Sequence, residues 1–518
     1  MTAFILVPGV FTGAQVWEET AARLAKAGDE VHTVDLTGLG GAGAAEPADV
    51  ERPVDLDTDL ETHIADVLTV IDAVGPAADR GIVLVGHDYG IHPVMGAADR
   101  RAERVSRIVC VDSGLPRDGV PALAAVPDQR LREQLAERAG AERSGTEPGE
   151  LPPPARDEWQ RWGSTAGVPA AALDRLTGLA APQPLGTLLQ PLRLTGAVSA
   201  VPTTGVLCTG NGTSIELVRM LVGMGDPALK VLTAPGVTFF ELPTGHWPML
   251  SCPAELADVL LKAAAGEGDR LEPADATEPP AHLRPFLLDV PELPRERIGT
   301  VDLYLPAHAE APRPAVVFVH GGPVPAGARP TPRDWPTLTG YARYAAGEGV
   351  VGVTLDHRLH DVADYERAAG DVAAAVERVR ADPRVDADRI ALWFFSGGGL
   401  LAADWLAAPP TWLRCLAATY PVLAPLPNWG LPGGRFRPAE AVAQAGALPV
   451  VLTRVGLESP EIAATVEEFL ATATGCGAHV EVVDVPNGHH GFETRDPTDE
   501  SREAVHHAMR TVLGRLRP

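Results

Sequence analysis

Residues 82–95 read IVLVGHDYGIHPVM. The apolar run 82–85 has the character of a buried strand. It breaks into Gly86-His87-Asp88-Tyr89-Gly90, and a helical pattern follows. Strand, tight turn and helix together present one residue, here Asp88, on a strained turn above a sheet. Gly86 and Gly90 stand two residues to either side of it, where a β-carbon would crowd the turn. A second turn of this kind, altered differently, surrounds Ser396: the apolar run 390–394 leads into Ser396-Gly397-Gly398-Gly399.

Outward from the first turn, strand-like and helical stretches alternate, which implies a parallel sheet with right-handed crossovers. Strand patterns cover 4–7, 30–37, 105–112, 204–209 and 237–242; helical spacing covers 17–27 and 57–74. Residues 115–201 break the rhythm. They are rich in Pro, Ala, Arg and Glu, contain Trp159 and Trp162, and suit a helical cap over the site. Residues 266–285 are acidic and rich in Pro, Gly and Ala, the composition of a linker. The rhythm then starts again, with strand patterns at 297–304, 315–319, 349–355, 390–394, 448–454 and 479–485 and a long amphipathic helix at 361–382. At 518 residues the chain is too long for one ordinary core, so two domains are expected, 1–265 and 286–518.

A net charge of −25 argues against nucleic acid and anionic membranes, since the long-range field repels both. Five scattered cysteines without metal spacing point to a reduced, cytoplasmic setting. The N-terminus, MTAFILV, lacks a basic region before its apolar run and reads as a strand. No apolar run is long enough to span a bilayer. The expected partner is a small-molecule substrate, with a homodimer left open, and neither cofactor nor metal is expected.

In order and spacing these pieces resemble the α/β-hydrolase superfamily, over nearly the whole chain. The first half, through VPGVFTGAQVWEETAARLAKAGDEVHTVDLTGLG, GHDYG and VCVDSGLPRDG, is similar to the small capped esterases and hydroxynitrile lyases. Its Asp88, where most such turns have serine, is instead similar to epoxide hydrolases and haloalkane dehalogenases. The second half, through VFVHGGP, the Ser396 turn and HHGF, resembles dienelactone hydrolases, prolyl oligopeptidases and acyl esterases. The resemblance implies two tandem α/β-hydrolase domains, each a mostly parallel sheet flanked by helices, the first with the cap.

For the first half it implies Asp88 as a carboxylate nucleophile and His246, after the last strand, as the base. Asp112 is the first choice for the group that orients the imidazole, with Asn211 and Glu216 as alternatives. The N–H groups of Val10 and Tyr89 would stabilise an oxyanion, and Phe11, Trp159, Trp162 and Trp247 would line the substrate pocket. Two departures stand out. Tyr89 is the first tyrosine in the chain and the next is Tyr304, so the cap has none with which to protonate an epoxide oxygen; and no tryptophan follows Asp88 to cradle a halide. The competing reading makes Asp88 a helix cap, His246 a packed histidine, Asp112 a structural acid, and the tryptophans cap packing.

For the second half the resemblance implies Ser396 as nucleophile, His490 as base with His489 as the register-shifted alternative, and Glu458 as the acid with Glu461 as the alternative. Gly322 and Gly397 would supply the oxyanion donors. The departure here is Phe394, which stands two residues before Ser396 where the turn normally has glycine; Gly398 opposite would relieve the crowding. His357 and His360 read as structural.

Four functions follow. The first is cofactor-independent chemistry by Asp88 and His246 on an epoxide-like or activated carbon of a bacterial specialised metabolite. The others are ester, lactone or thioester hydrolysis at Ser396, a non-hydrolytic cyclase, coupling or lyase reaction, and a noncatalytic scaffold.

Overall fold

The computed structural model describes residues 1–39, 58–75, 81–126, 129–143, 149–223, 227–271, 279–307, 311–426, 429, 431 and 434–517. It divides into two compact units, one of Met1–Arg219 with Val231–Pro273, the other of Met220–Lys230 with Ala274–Pro518.

In the first unit β1 (Ala3–Val7), β2 (Glu30–Thr33), β3 (Ile82–His87) and β4 (Val105–Val111) precede the cap. The cap contributes β5 (Glu150–Leu151) and β6 (Gln183–Pro184), and β7 (Thr203–Cys208) and β8 (Val237–Leu242) follow. The sheet order is β2-β1-β3-β4-β7-β8, and every pair in it is parallel. All five residues of β1 are buried, the signature of a strand covered on both faces. The cap is not purely helical as expected: beside its helices β5 and β6 pair antiparallel. Strand β2 also ends earlier than its pattern suggests. Val34 still donates to the Leu6 carbonyl, but Thr37 is held by the carboxylate of Asp66 and turns away from the sheet. The helix that leads into β3 spans Leu60–Ala73. Asp59 starts it by accepting from the Thr62 N–H while Thr62 Oγ1 accepts in return, a capping box.

The second unit is an eight-stranded sheet. Its strands are β9 (Arg295–Ile298), β10 (Val301–Tyr304), β11 (Arg313–Val319), β12 (Val351–Leu355), β13 (Val385–Phe395), β14 (Leu413–Thr419), β15 (Val450–Leu457) and β16 (Val480–His489). The order is β16-β15-β14-β13-β11-β12-β10-β9. The edge pairs β9/β10 and β10/β12 are antiparallel and the rest parallel. Along β11 the side chains alternate between two cores: Ala315, Val317 and Val319 enter one, Val316 and Phe318 the other. The helix Tyr365–Arg380 covers the first face and the helix Pro336–Gly347 the second.

Three readings change here. The single strand expected at 297–304 is a hairpin, because Gly299 takes a left-handed φ of 62° and reverses the chain. The helix expected from 361 begins at Tyr365, after a 3-10 turn capped by Asp361. Strand β14 was not foreseen; its alanines and the outward Arg414 lack a strong strand signal, and burial between β13 and β15 makes it one. No helix among the described residues is long and apolar enough to cross a membrane.

Candidate active site

Each unit presents a polar constellation at the C-terminal ends of its parallel strands. In the second, β13 ends at Phe395 and Ser396 takes a left-handed φ of 52°, a strained conformation for a residue with a side chain. The turn throws its hydroxyl toward the loop after β16. There His490 Nε2 lies 2.7 Å from Ser396 Oγ, and His490 Nδ1 lies 2.7 Å from Glu458 Oε2. Glu458 follows β15, and its other oxygen accepts from the Ser459 N–H, which fixes the carboxylate's orientation. His489 points elsewhere, to Asp496 at 3.1 Å. Of the two glutamates considered, it is Glu458 and not Glu461 that meets His490.

The glycines explain how the turn closes. A β-carbon on Gly321 would fall 2.7 Å from Ser396 Cβ, and one on Gly397 would fall 2.2 Å from the Gly322 carbonyl oxygen. The Tyr365 hydroxyl donates to the Gly397 carbonyl at 2.8 Å. Phe394 does not obstruct the turn. Its ring is buried in the core, and the chain after Ser396 runs as a seven-residue 3-10 helix, Ser396–Ala402, before turning α-helical. Gly398 has a different task from the one expected: a β-carbon there would lie 2.4 Å from the His320 carbonyl oxygen.

In the first unit Asp88 has a φ of 49° at the end of β3, followed by a short 3-10 turn and the helix Ile91–Arg100. A β-carbon on Gly86 would be 2.7 Å from Ile91 Cα, and one on Gly90 2.4 Å from the Pro8 carbonyl, so both positions require glycine. The Val10 N–H donates to Asp88 Oδ2 at 3.3 Å, and the Tyr89 backbone N–H lies close enough to favour the carboxylate's charged form. Asp88 Oδ1 faces His246 Nε2 at 3.9 Å, too far for a direct hydrogen bond. His246 Nδ1 meets Asp112 Oδ2 at 2.7 Å. Asn211 Nδ2 donates to that same oxygen at 2.5 Å, so Asn211 braces Asp112. Glu216 pairs with Arg219 instead. Burial alone would lower His246, but Asp112 and Asp88 outweigh it and hold the imidazole up at about 10. Burial alone would raise Asp88, yet His246 holds it down at about 2. Each group thus favours the charged form of the other.

Phe11, Trp159, Trp162 and Trp247 come together beside His246, all buried. Phe11 meets Trp162 edge-on at 4.8 Å, Trp159 meets Trp247 at 5.5 Å, and Trp247 meets His246 at 4.8 Å. The Trp159 indole N–H is committed to Thr177, and the Tyr89 hydroxyl to His63. Residue patterns missed the cap's grip on the base. The Ser164 carbonyl accepts from the His246 N–H, and Gly163 lies so close that a β-carbon would be 2.4 Å from the ring. Among the described residues no group of three His, Cys, Asp or Glu is arranged to hold a metal.

A family profile described as "Alpha/beta hydrolase family" matches residues 4–259, and one described as BD-FAE matches 301–408. The chain is 31% identical over 282 residues to the carbendazim hydrolyzing esterase of Nocardioides sp. (strain SG-4G), a match covering 50% of this chain and 98% of that protein. Among solved structures it is similar to an extracellular alpha/beta-hydrolase from a Paenibacillus species (19% identity, TM-score 0.37, 51% of this chain and 99% of that one). It is also similar to EstE1, a thermostable carboxylesterase cloned from a metagenomic library (22% identity, TM-score 0.36, 45% of this chain and 92% of that one).

Proposed function

The chain belongs to the alpha/beta hydrolase family, and from that premise we propose that its second unit is a serine esterase working through Ser396, His490 and Glu458. The observation that supports this reading is the unbroken series of short contacts from the Ser396 hydroxyl through His490 to Glu458, on a strained turn. His490 Nε2 takes the hydroxyl proton as Oγ attacks the ester carbonyl carbon. The N–H groups of Gly322 and Gly397 receive the oxyanion. His490 then returns the proton to the departing alcohol, and a water activated by the same imidazole releases the acid. Glu458 keeps the Nδ1–H tautomer and offsets the imidazolium charge.

The test uses p-nitrophenyl acetate and carbendazim as substrates and a fluorophosphonate as label. Ser396→Ala should lose the label and lower ester turnover by about 10⁴-fold or more. Undiminished turnover in Ser396→Ala would overturn the assignment.

A second reading rests on the Val10 N–H bound to Asp88 Oδ2, which places one carboxylate oxygen where an oxyanion would otherwise sit and leaves Oδ1 free. That arrangement suits attack by Oδ1 on a saturated carbon: the O–C bond forms, the leaving group departs with its electron pair, and an Asp88 ester remains. Esterification removes one of the two charges that hold the proton on His246, so the imidazole becomes a base when water must be activated. With styrene oxide as probe, His246→Gln should accumulate one adduct per chain on the Asp88 peptide, and Asp88→Asn none. Absence of adduct in both variants would end this reading.

A further inference from the structure

Behind His490 lies a carboxyl group that the triad does not use. Gly491, at φ 76°, turns the chain straight from His490 into the short helix Phe492–Arg495, and this sends Phe492 and Glu493 back into the core, 0% and 1% exposed. Glu493 Oε1 accepts from the Tyr341 hydroxyl at 3.0 Å, while Oε2 has no hydrogen-bond partner among the described residues. The walls are aromatic. Tyr341 packs against Phe318, Trp393 and Phe395, and Tyr420 meets Phe492 edge-on. The Tyr420 ring also lies 4.6 Å from the His490 ring, and its hydroxyl faces Glu493.

We propose that Glu493 is a positioning residue for His490, a buried carboxyl that seats Tyr420 against the imidazole and whose charge state alters how readily the imidazole gives up a proton. The proposal rests on the serine-esterase reading of the same site. Three titratable groups face Glu493: Tyr341 from the helix Pro336–Gly347, Tyr420 from the end of β14, and His490 itself. The 3-10 turn Ala281–Leu283, with His282, packs against the helix that carries Glu493. No lysine or arginine pairs with Glu493 among the described residues. Both tyrosines are raised far above their usual range by burial and stay neutral, and of the two it is Tyr341 that donates to the carboxyl. Burial likewise pushes Glu493 up to about 7, with Tyr420, Tyr341 and His490 opposing it. Around neutral pH the carboxyl therefore passes from an uncharged to a charged form, and in the charged form it faces the His490 ring. A carboxylate formed at that place opposes the loss of positive charge beside it, whereas the neutral acid does not.

The experiment is the pH profile of kcat/KM on p-nitrophenyl acetate for the full chain and its variants. Glu493→Gln keeps the shape but cannot ionise, so its acid limb should lie at least about half a pH unit lower and rise in a single step, with a plateau within about threefold of the parent. Tyr341→Phe removes the donor that favours the ionised carboxyl and should move the limb the same way by less, which keeps the test open if the first variant folds poorly. Glu493→Ala, which unseats Tyr420, should lower the plateau by about tenfold or more. Superimposable limbs in the parent, Glu493→Gln and Tyr341→Phe would overturn the proposal and leave Glu493 a packing residue. If Ser396→Ala retains the activity, it is the esterase reading that fails.

Discussion

His246 stands between two carboxylates, Asp112 at 2.7 Å and Asp88 at 3.9 Å, whereas His490 stands between one carboxylate and a hydroxyl. That difference in neighbours sets the first imidazole beside two negative charges and the second beside one, with a hydroxyl on its other side. The sign of the pH effect follows. His246 is raised to about 10 in the fold, so the stability it contributes is complete below the ordinary imidazole value of 6.5 and is lost as pH rises through about 10. Asp88 is lowered to about 2, so its share is present above 3.8 and is lost as pH falls through about 2. NMR of ring-labelled histidine should find one imidazole titrating near 10, and Asp88→Asn should lower that midpoint while Asp112 keeps it above 6.5. A ring that titrates at the ordinary value would show that the two acids do not act on it.

The two elbows solve one steric problem at the level of the element in different ways. In the first, Gly86 lets the following helix approach until a β-carbon would touch Ile91 Cα. In the second, Phe394 fills that place and the helix starts as a seven-residue 3-10 segment, while Gly398 lies under the His320 carbonyl as Gly90 lies under that of Pro8. Gly86→Ala and Gly398→Ala should therefore each destabilise their unit by about 1–3 kcal/mol, because the atoms they meet are backbone and cannot rotate away. Gly370→Ala, in the helix Tyr365–Arg380 with open space around it, should instead stabilise by about 0.5–1 kcal/mol. Urea unfolding midpoints check all three; a neutral Gly398→Ala would mean that the turn has slack the packing does not show.

Over the whole molecule, each unit sets a nucleophile position after its central strand and a histidine after its last one. They differ in the strand that supplies the acid. The first takes Asp112 from the end of β4, next to the elbow strand, and leaves Asn211 after β7 as a brace. The second takes Glu458 from after β15 and has Tyr420 at the end of β14, the place that corresponds to Asp112. Both residues at that place have left-handed backbone, φ 46° for Asp112 and 36° for Tyr420. One backbone geometry thus aims an acid at the imidazole in one unit and an aromatic ring in the other.

Local pattern was enough to read the alternation of strands and helices and the two elbows that carry Asp88 and Ser396, because a buried strand and a glycine-rich turn are signals within a few residues; His246 and His490 came from their order after the last strand of each half, as the family resemblance implies. Strand β14 was not legible in that way, since alanines become a strand only between neighbours that bury them. Nor was the bracing of Asp112 by Asn211, the burial of Phe394, the grip of Gly163 and Ser164 on His246, or the place of Glu493 behind His490. Each of these depends on which distant segments are brought within a few ångströms, and on desolvation that no single stretch imposes on itself.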